Sequence, residues 1–406
     1  MDRTAFYNFL RANRQEHLIP FAERMSDAEA LLFEEEIRKI DFDSLFKLTE
    51  QPTTRGKIEP IGAYTLEKQA NEQKQNLLAG IDVLKSGKLA ALMLAGGQGT
   101  RLGSDRPKGC YNIGISRDYF LFQSHVEKLV ETRRRYGVSI PLYIMTSDKN
   151  HAQTVAFFEE HNYFGYGKEN IGFFRQKSAP CTDFDKKLLM EAPTKLATSP
   201  NGNGGWYISL LESDCGKQMR ERGIEWISLF GVDNPLQRFC SEEFIGASVA
   251  SGAACSVKVV TKAYPEELMG VMCLEDGKPS MIAYAEMSDE LRYARDENGA
   301  LLYTYGDILN MIFRVDALDA CMGKDMPVHI ARKKIPFVDA NGTRYAPDSP
   351  NGFKYEQFLF DAFRYMSSVF LYEVERQKEF APIKNLTGPD SVDSAREMMK
   401  ENGIVL

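Results

Sequence analysis

One stretch constrains the fold of this chain more than any other. A short apolar run, Leu89-Ala90-Ala91-Leu92-Met93-Leu94-Ala95, stops abruptly at Gly96-Gly97. A continuous apolar run of this length suits a strand buried on both faces, the environment of a parallel sheet covered by helices. Runs of the same kind recur at 142–146 and 226–232, the first preceded by a helical pattern over residues 119–135. Strands that alternate with helices predict an α/β fold with a doubly wound, mainly parallel sheet. Beyond residue 255 the segments are shorter (256–261, 270–274 and 281–286), and Asp276-Gly277 has hairpin-turn chemistry. The sheet is therefore expected to acquire antiparallel strands there and to be mixed.

With 406 residues, the chain exceeds the roughly 250–300 that a single core supports, so two or three domains are expected. Residues 1–87 read as a helical N-terminal region, 88–378 as the main α/β domain and 379–406 as a small C-terminal region. Ser26-Asp27-Ala28-Glu29 is a capping-box pattern, and Asp41 can cap a second short helix. Gln51–Gly56 reads as a loop, 65–88 as a helix, and 391–401 as a terminal helix stopped by Asn402-Gly403. The N-terminal region carries no chemistry of its own and is expected to cover the next domain.

Composition excludes several function classes. Hydrophobic residues are 43% and charged residues 26%, an ordinary globular balance. Fifty Lys and Arg against 57 Asp and Glu leave a formal charge of −7, which argues against a nucleic-acid-coating surface and restricts phosphate binding to a local basic pocket. The seven cysteines are scattered without a C-x-x-C pair, so a reducing compartment is expected rather than a disulfide framework or a zinc ribbon. The N-terminus lacks the apolar core of a secretory signal, and no run reaches the roughly 18–20 residues of a bilayer span. A soluble, cytoplasmic protein is expected. The five histidines form neither a metal nor a triad pattern.

The glycine-rich segment Leu94-Ala95-Gly96-Gly97-Gln98-Gly99-Thr100-Arg101-Leu102-Gly103, followed by Pro107-Lys108-Gly109, sits where open α/β sheets bind ligands, after a strand's carboxyl end. Glycine lets backbone amides approach anionic oxygens, and Arg101 and Lys108 add positive charge. A dinucleotide fingerprint begun at Gly97 fails at Leu102, and no Walker A Gly-Lys-Ser/Thr follows at the required offset.

L-x-x-G-G-x-G-T-R-L-G followed by P-K resembles the signature of nucleotide-sugar pyrophosphorylases that use UTP, above all the UDP-N-acetylglucosamine (UDP-N-acetylhexosamine) pyrophosphorylases of the wider UDP-glucose pyrophosphorylase family. The resemblance continues in family order through Asn162–Gly165, Gly202–Tyr207, Val232-Asp233-Asn234, Lys334–Asp339, Pro350–Lys354 and Glu379–Asn385. It implies a Rossmann-like, GT-A-like nucleotidyltransferase sheet. It also implies a reaction in which UTP and a sugar 1-phosphate give a UDP-sugar and pyrophosphate with Mg²⁺.

Such a transfer needs anions brought together and charge neutralised, not a nucleophile dyad. The resemblance implies catalytic roles for Arg101, Lys108 and Lys384, the first two on the departing phosphates and the last on the sugar phosphate. Leu94, Ala95, Gly96, Gly97, Gln176, Gly202, Asp233 and Lys354 would meet the nucleotide, Gln176 pairing with uracil through an amide that donates and accepts at once. Asp233 would hold the metal. Asn203, Tyr284 and Asp307 would meet the sugar. Taken on spacing alone, Gln176, Lys354 and Lys384 read as ordinary surface or core residues; the resemblance promotes them.

On the sugar side the chain departs from the N-acetylglucosamine pattern. Ala283 stands where that pattern has glutamate, and Asp307 where it has asparagine. A hexose 1-phosphate such as glucose or galactose 1-phosphate is therefore an alternative acceptor. Two other classes compete: a UDP-sugar sensor without turnover, which would not require the whole cationic set, and a glycosyltransferase, which usually carries a D-x-D motif where Val232-Asp233-Asn234 has one acid.

Overall fold

The computed structural model describes residues 3–50 and 55–406; the expected loop at 51–56 lies outside them except for Arg55 and Gly56. Two compact units interleave along the chain. The smaller is built from residues 1–54, 177–205 and 326–359, the larger from 55–176, 206–325 and 360–406. Compactness thus divides the chain elsewhere than at the sequence boundaries 87/88 and 378/379.

The smaller unit explains where the first fifty residues go. Ser26 caps helix Asp27–Arg38 through a capping box with Glu29, and Asp41 caps helix Phe42–Lys47. The apolar faces of helices Thr4–Ala12 and Asp27–Arg38 bury Phe6, Leu10, Phe33 and Ile37 in one core with Leu188, Met190, Leu196, Val338, Phe353 and Tyr355. Their partners are short strands contributed by the two later segments, notably Met190–Ala192 and Gly352–Glu356. Helix Leu66–Ser86 belongs instead to the larger unit. It packs on helix Glu242–Ser251, where Gly80 and Gly246 carry no side chain between the backbones.

The larger unit contains a ten-stranded mixed sheet. Its centre is parallel: Ile171–Arg175, Leu142–Thr146, Leu89–Leu94 and Trp226–Gly231 lie side by side in that order. All six residues of Leu89–Leu94 and all five of Leu142–Thr146 are buried, as continuous apolar runs require. Tyr305–Arg314 joins antiparallel to Trp226–Gly231, and Cys255–Thr261 and Val271–Glu275 pair antiparallel with it in turn. Strands Val271–Glu275 and Lys278–Ile282 form the expected hairpin, with Asp276 and Gly277 both at positive φ (51° and 75°). The third late segment ends earlier than its sequence suggested, at Ile282.

Order in the parallel core decides where ligands can go. From Leu89–Leu94 the chain steps outward to 142–146 and 171–175, then returns to the other side of 89–94 as strand 226–231. That reversal is a topological switch point, and its crevice opens at the carboxyl ends of the two strands, beyond Leu94 and Gly231. Among the described residues no helix is long and apolar enough to cross a membrane.

Candidate functional site

The glycine-rich loop leaves the sheet at this switch point, and its shape follows from where its backbone groups bond. Gly99 N–H donates to the Arg106 carbonyl (2.9 Å) and Lys108 N–H to the Gly97 carbonyl (3.1 Å), so Gln98 and Pro107 bridge and the chain returns Lys108 to the base of the loop. From below, Asn150 Nδ2 donates to the carbonyls of Ala95 (2.9 Å) and Gly97 (3.2 Å), while Ser147 Oγ donates to the carbonyl of Gly96 (2.9 Å). Asn150 is fully buried, and its Oδ1 accepts the Ser147 N–H (2.8 Å). Carbonyls are thereby turned inward and tied down. The N–H groups of Gly96, Gly97 and Gln98 meet no acceptor among the described residues. Successive unpaired backbone amides can hold an anion.

Charge is placed around that loop. Lys108 Nζ stands 3.4 Å from Asp233 Oδ2, both side chains largely buried (18% and 29% exposed). Asp233 follows strand 226–231, and Val232 N–H donates to the Leu94 carbonyl (3.2 Å), which joins the two strand ends directly. His125, buried and held neutral by burial, donates from Nε2 to the Val232 carbonyl (3.0 Å). Arg101 lies in the turn Thr100–Leu102, exposed, with no ion pair to any described residue. Cys110 is a buried thiol pushed up to about 12 by burial, an inert packing residue.

Gln176 follows strand 171–175, two strands out from 89–94, and is 8% exposed. A Cβ built on Gly96 would lie 2.5 Å from Gln176 Oε1, so the amide lies directly over the glycine. Lys384 arrives from the C-terminal segment: Ile383 N–H donates to the Asp233 carbonyl (2.8 Å), and Lys384 Nζ pairs with Asp390 (2.9 Å). The structure therefore collects Leu94, Ala95, Gly96, Gly97, Lys108, Gln176, Asp233 and Lys384 around one crevice.

Two expected sugar residues lie elsewhere in the larger unit. Phe230 faces Asn310 across the antiparallel pair, which puts Asp307 toward the same sheet edge as Asp233. Its carboxylate accepts the Leu309 N–H (3.0 Å), and burial pushes its pKa up to about 6. Tyr284 is half exposed and lines a separate pocket with Lys262, Glu266 and Arg292. Gly202, Asn203 and Lys354 belong to the smaller unit. Gly202 (φ 82°) packs against the Gln357 carbonyl where a Cβ has no room, and Asn203 Oδ1 accepts the Leu359 N–H (3.0 Å). Lys354 sits on strand Gly352–Glu356 opposite Ala331.

Among the described residues no group of three or more His, Cys, Asp or Glu is arranged to hold a metal. A single partly buried carboxylate beside an anion-binding loop still fits a hard cation that keeps waters and takes its other ligands from phosphate. Asp233 is that carboxylate. Ser147 and Asn150 were not legible as site residues: each acts through backbone groups that have no sequence signature.

The sequence matches the family described as UTP–glucose-1-phosphate uridylyltransferase over residues 30–399. The UDP-N-acetylglucosamine pyrophosphorylase of Saccharomyces cerevisiae is 37% identical over 400 residues, covering 95% of this chain and 83% of its own. The UDP-N-acetylglucosamine diphosphorylase 2 of Arabidopsis thaliana is 35% identical over 410 residues, covering 94% and 80%. Among solved structures, the uridine diphosphate N-acetylglucosamine pyrophosphorylase from Trypanosoma brucei, in complex with an inhibitor, superimposes with a TM-score of 0.80 at 26% identity, over 98% of this chain and 84% of that one. The chain belongs to the UTP–glucose-1-phosphate uridylyltransferase family, and its chemistry is the transfer of a uridylyl group from UTP to a sugar 1-phosphate.

Proposed function

We propose that this enzyme makes a UDP-N-acetylhexosamine from UTP and an N-acetylhexosamine 1-phosphate. The observation that carries the catalytic part is the braced loop, with its unpaired amides beside the Lys108–Asp233 pair at the switch point. The names of the relatives support the amino-sugar class.

An oxygen of the sugar phosphate attacks the α-phosphorus of UTP in line; the new O–P bond forms as the bond to the bridging oxygen of the β-phosphate breaks, and pyrophosphate leaves. The loop amides of Gly96 and Gly97, with Leu94 and Ala95 behind them, hold the triphosphate, and Arg101 and Lys108 neutralise the β- and γ-phosphates as charge moves onto them. Lys384 exchanges Asp390 for the incoming sugar phosphate. Gln176 presents an amide to the uracil edge, and the Gly96–Gln176 contact couples base recognition to the phosphate loop. Asp233 would hold Mg²⁺, which when bound supplies positive charge at the reacting phosphates. Asp307 is assigned to the sugar; Tyr284, which lines a separate pocket, is assigned to it by resemblance alone. The roles of Gly202 and Asn203 on nucleotide and sugar, and of Lys354 on the phosphates, rest on resemblance alone.

The test is pyrophosphate release from UTP with Mg²⁺ and a panel of N-acetylglucosamine, N-acetylgalactosamine, glucose and galactose 1-phosphates. Highest kcat/KM with an N-acetylhexosamine 1-phosphate is expected. Preference for glucose or galactose 1-phosphate would overturn the amino-sugar assignment. Binding of UDP-sugars without turnover across the panel would refute the catalytic reading.

A further inference from the structure

Lys384 sits on a segment with little regular structure of its own: helix Arg376–Glu379 ends, and the chain runs extended through Phe380-Ala381-Pro382-Ile383. Something else must fix the lysine. Asn234, next to Asp233 and 2% exposed, spends its amide on this segment: Nδ2 donates to the Glu379 carbonyl (2.7 Å), and Oδ1 accepts the Ala381 N–H (3.0 Å). The same Oδ1 accepts the Leu236 N–H (3.3 Å), closing the turn after Asp233. Pro382 has no N–H to place, and the next one, from Ile383, goes to the Asp233 carbonyl (2.8 Å). Every available N–H from 381 to 383 is thus committed to Asp233 or Asn234.

The start of the segment is held from behind. The carboxylate of Glu379 accepts from Lys258 Nζ (2.6 Å) and from the Arg238 N–H (3.1 Å), and Lys258, with no exposed surface, donates also to the Arg238 carbonyl (2.7 Å). Removing either partner would strand a buried charge, so this end is rigid.

We propose that Asn234 is a positioning residue that sets the place of Lys384 relative to Asp233, so that the lysine meets the sugar phosphate while the aspartate serves the nucleotide. The proposal rests on the assignment of Lys384 above. A side-chain amide is the right device, because one end must donate to a carbonyl while the other accepts two N–H groups. Alanine would leave those groups unpartnered, and aspartate would keep the acceptor but turn a carboxylate oxygen on the Glu379 carbonyl.

The experiment compares Asn234→Ala, Asn234→Asp and Lys384→Ala in steady-state kinetics with UTP and N-acetylglucosamine 1-phosphate, measuring both KM values and kcat. Asn234→Ala is expected to raise the KM for the sugar phosphate about tenfold or more, with the KM for UTP within about threefold, and Asn234→Asp to fall between it and wild type. Equal rises in both KM values, or none in either, would overturn the proposal. Should the alanine variant not fold, the aspartate variant decides by the same split. A selective rise in Lys384→Ala without one in the Asn234 variants would sink the positioning role and leave the reading of Lys384 standing. No selective rise in Lys384→Ala would sink both.

Discussion

Asp307 carries a charge that the fold resists, and replacing it with the amide found in the N-acetylglucosamine pattern has a calculable effect. Burial raises its pKa from 3.8 to about 6. Between those values the folded protein binds more protons than the unfolded chain, so stability falls as pH rises through the window. The penalty is absent well below pH 4 and complete above pH 6. At about 1.36 kcal/mol per unit, roughly two units amount to ~3 kcal/mol at pH 8, and integration over the same window leaves about half of that at pH 5. Asp307→Asn removes the charge and keeps an oxygen to accept the Leu309 N–H. The variant should therefore gain on wild type in urea unfolding at pH 8, and by about twice as much as at pH 5. Taking the difference between the two pH values cancels any packing change that does not depend on pH. An equal advantage at both pH values, or a loss of stability at pH 8, would refute the account. The same variant, assayed on the four sugar phosphates, should shift the order of preference; an unchanged order would remove Asp307 from the sugar site.

The remaining expectations probe the loop and its supports. Gly96→Ala would put a methyl group 2.5 Å from Gln176 Oε1, so the amide must swing aside and give up the base; at roughly 1–3 kcal/mol for the lost hydrogen bonds, the KM for UTP should rise by about 5- to 150-fold, and an unchanged value would show that Gln176 does not contact the base. Asn150→Ala leaves the Ala95 carbonyl and the Ser147 N–H without partners in a buried site and leaves the Gly97 carbonyl only the Lys108 N–H, and should cost ~2 kcal/mol or more by thermal unfolding together with a loss in kcat/KM; a loss of stability alone would make Asn150 structural only. Lys258→Met should cost ~3–5 kcal/mol by stranding the Glu379 carboxylate, and Lys258→Met/Glu379→Gln should recover part of it; a double variant as unstable as the single one would contradict the charge argument.

What could be read in the sequence, and what could not, divides along physical lines. Strand 89–94 was legible because burial on both faces requires an unbroken apolar run, and the hairpin at Asp276-Gly277 because positive φ at consecutive residues restricts residue type. Helix caps at Ser26 and Asp41 were legible for the same local reason. Arg101 and Lys108 stood out because glycine spacing and charge are both written in one short segment. The interleaving of the two units was not legible. It depends on which apolar face meets which, and Phe33 or Leu10 gives no sign that its partners are Met190 and Phe353 rather than the main sheet. Nor was the bracing of the loop, since Ser147 and Asn150 act on carbonyls and N–H groups that every residue possesses. The sequence thus names the groups that carry charge to the substrates, while the groups that aim them are found only when the backbone's hydrogen bonds are followed one by one. Lys384 makes the difference concrete: its ammonium is written in the sequence, but its direction is set by an asparagine 150 positions earlier, through a contact that only the returning chain creates.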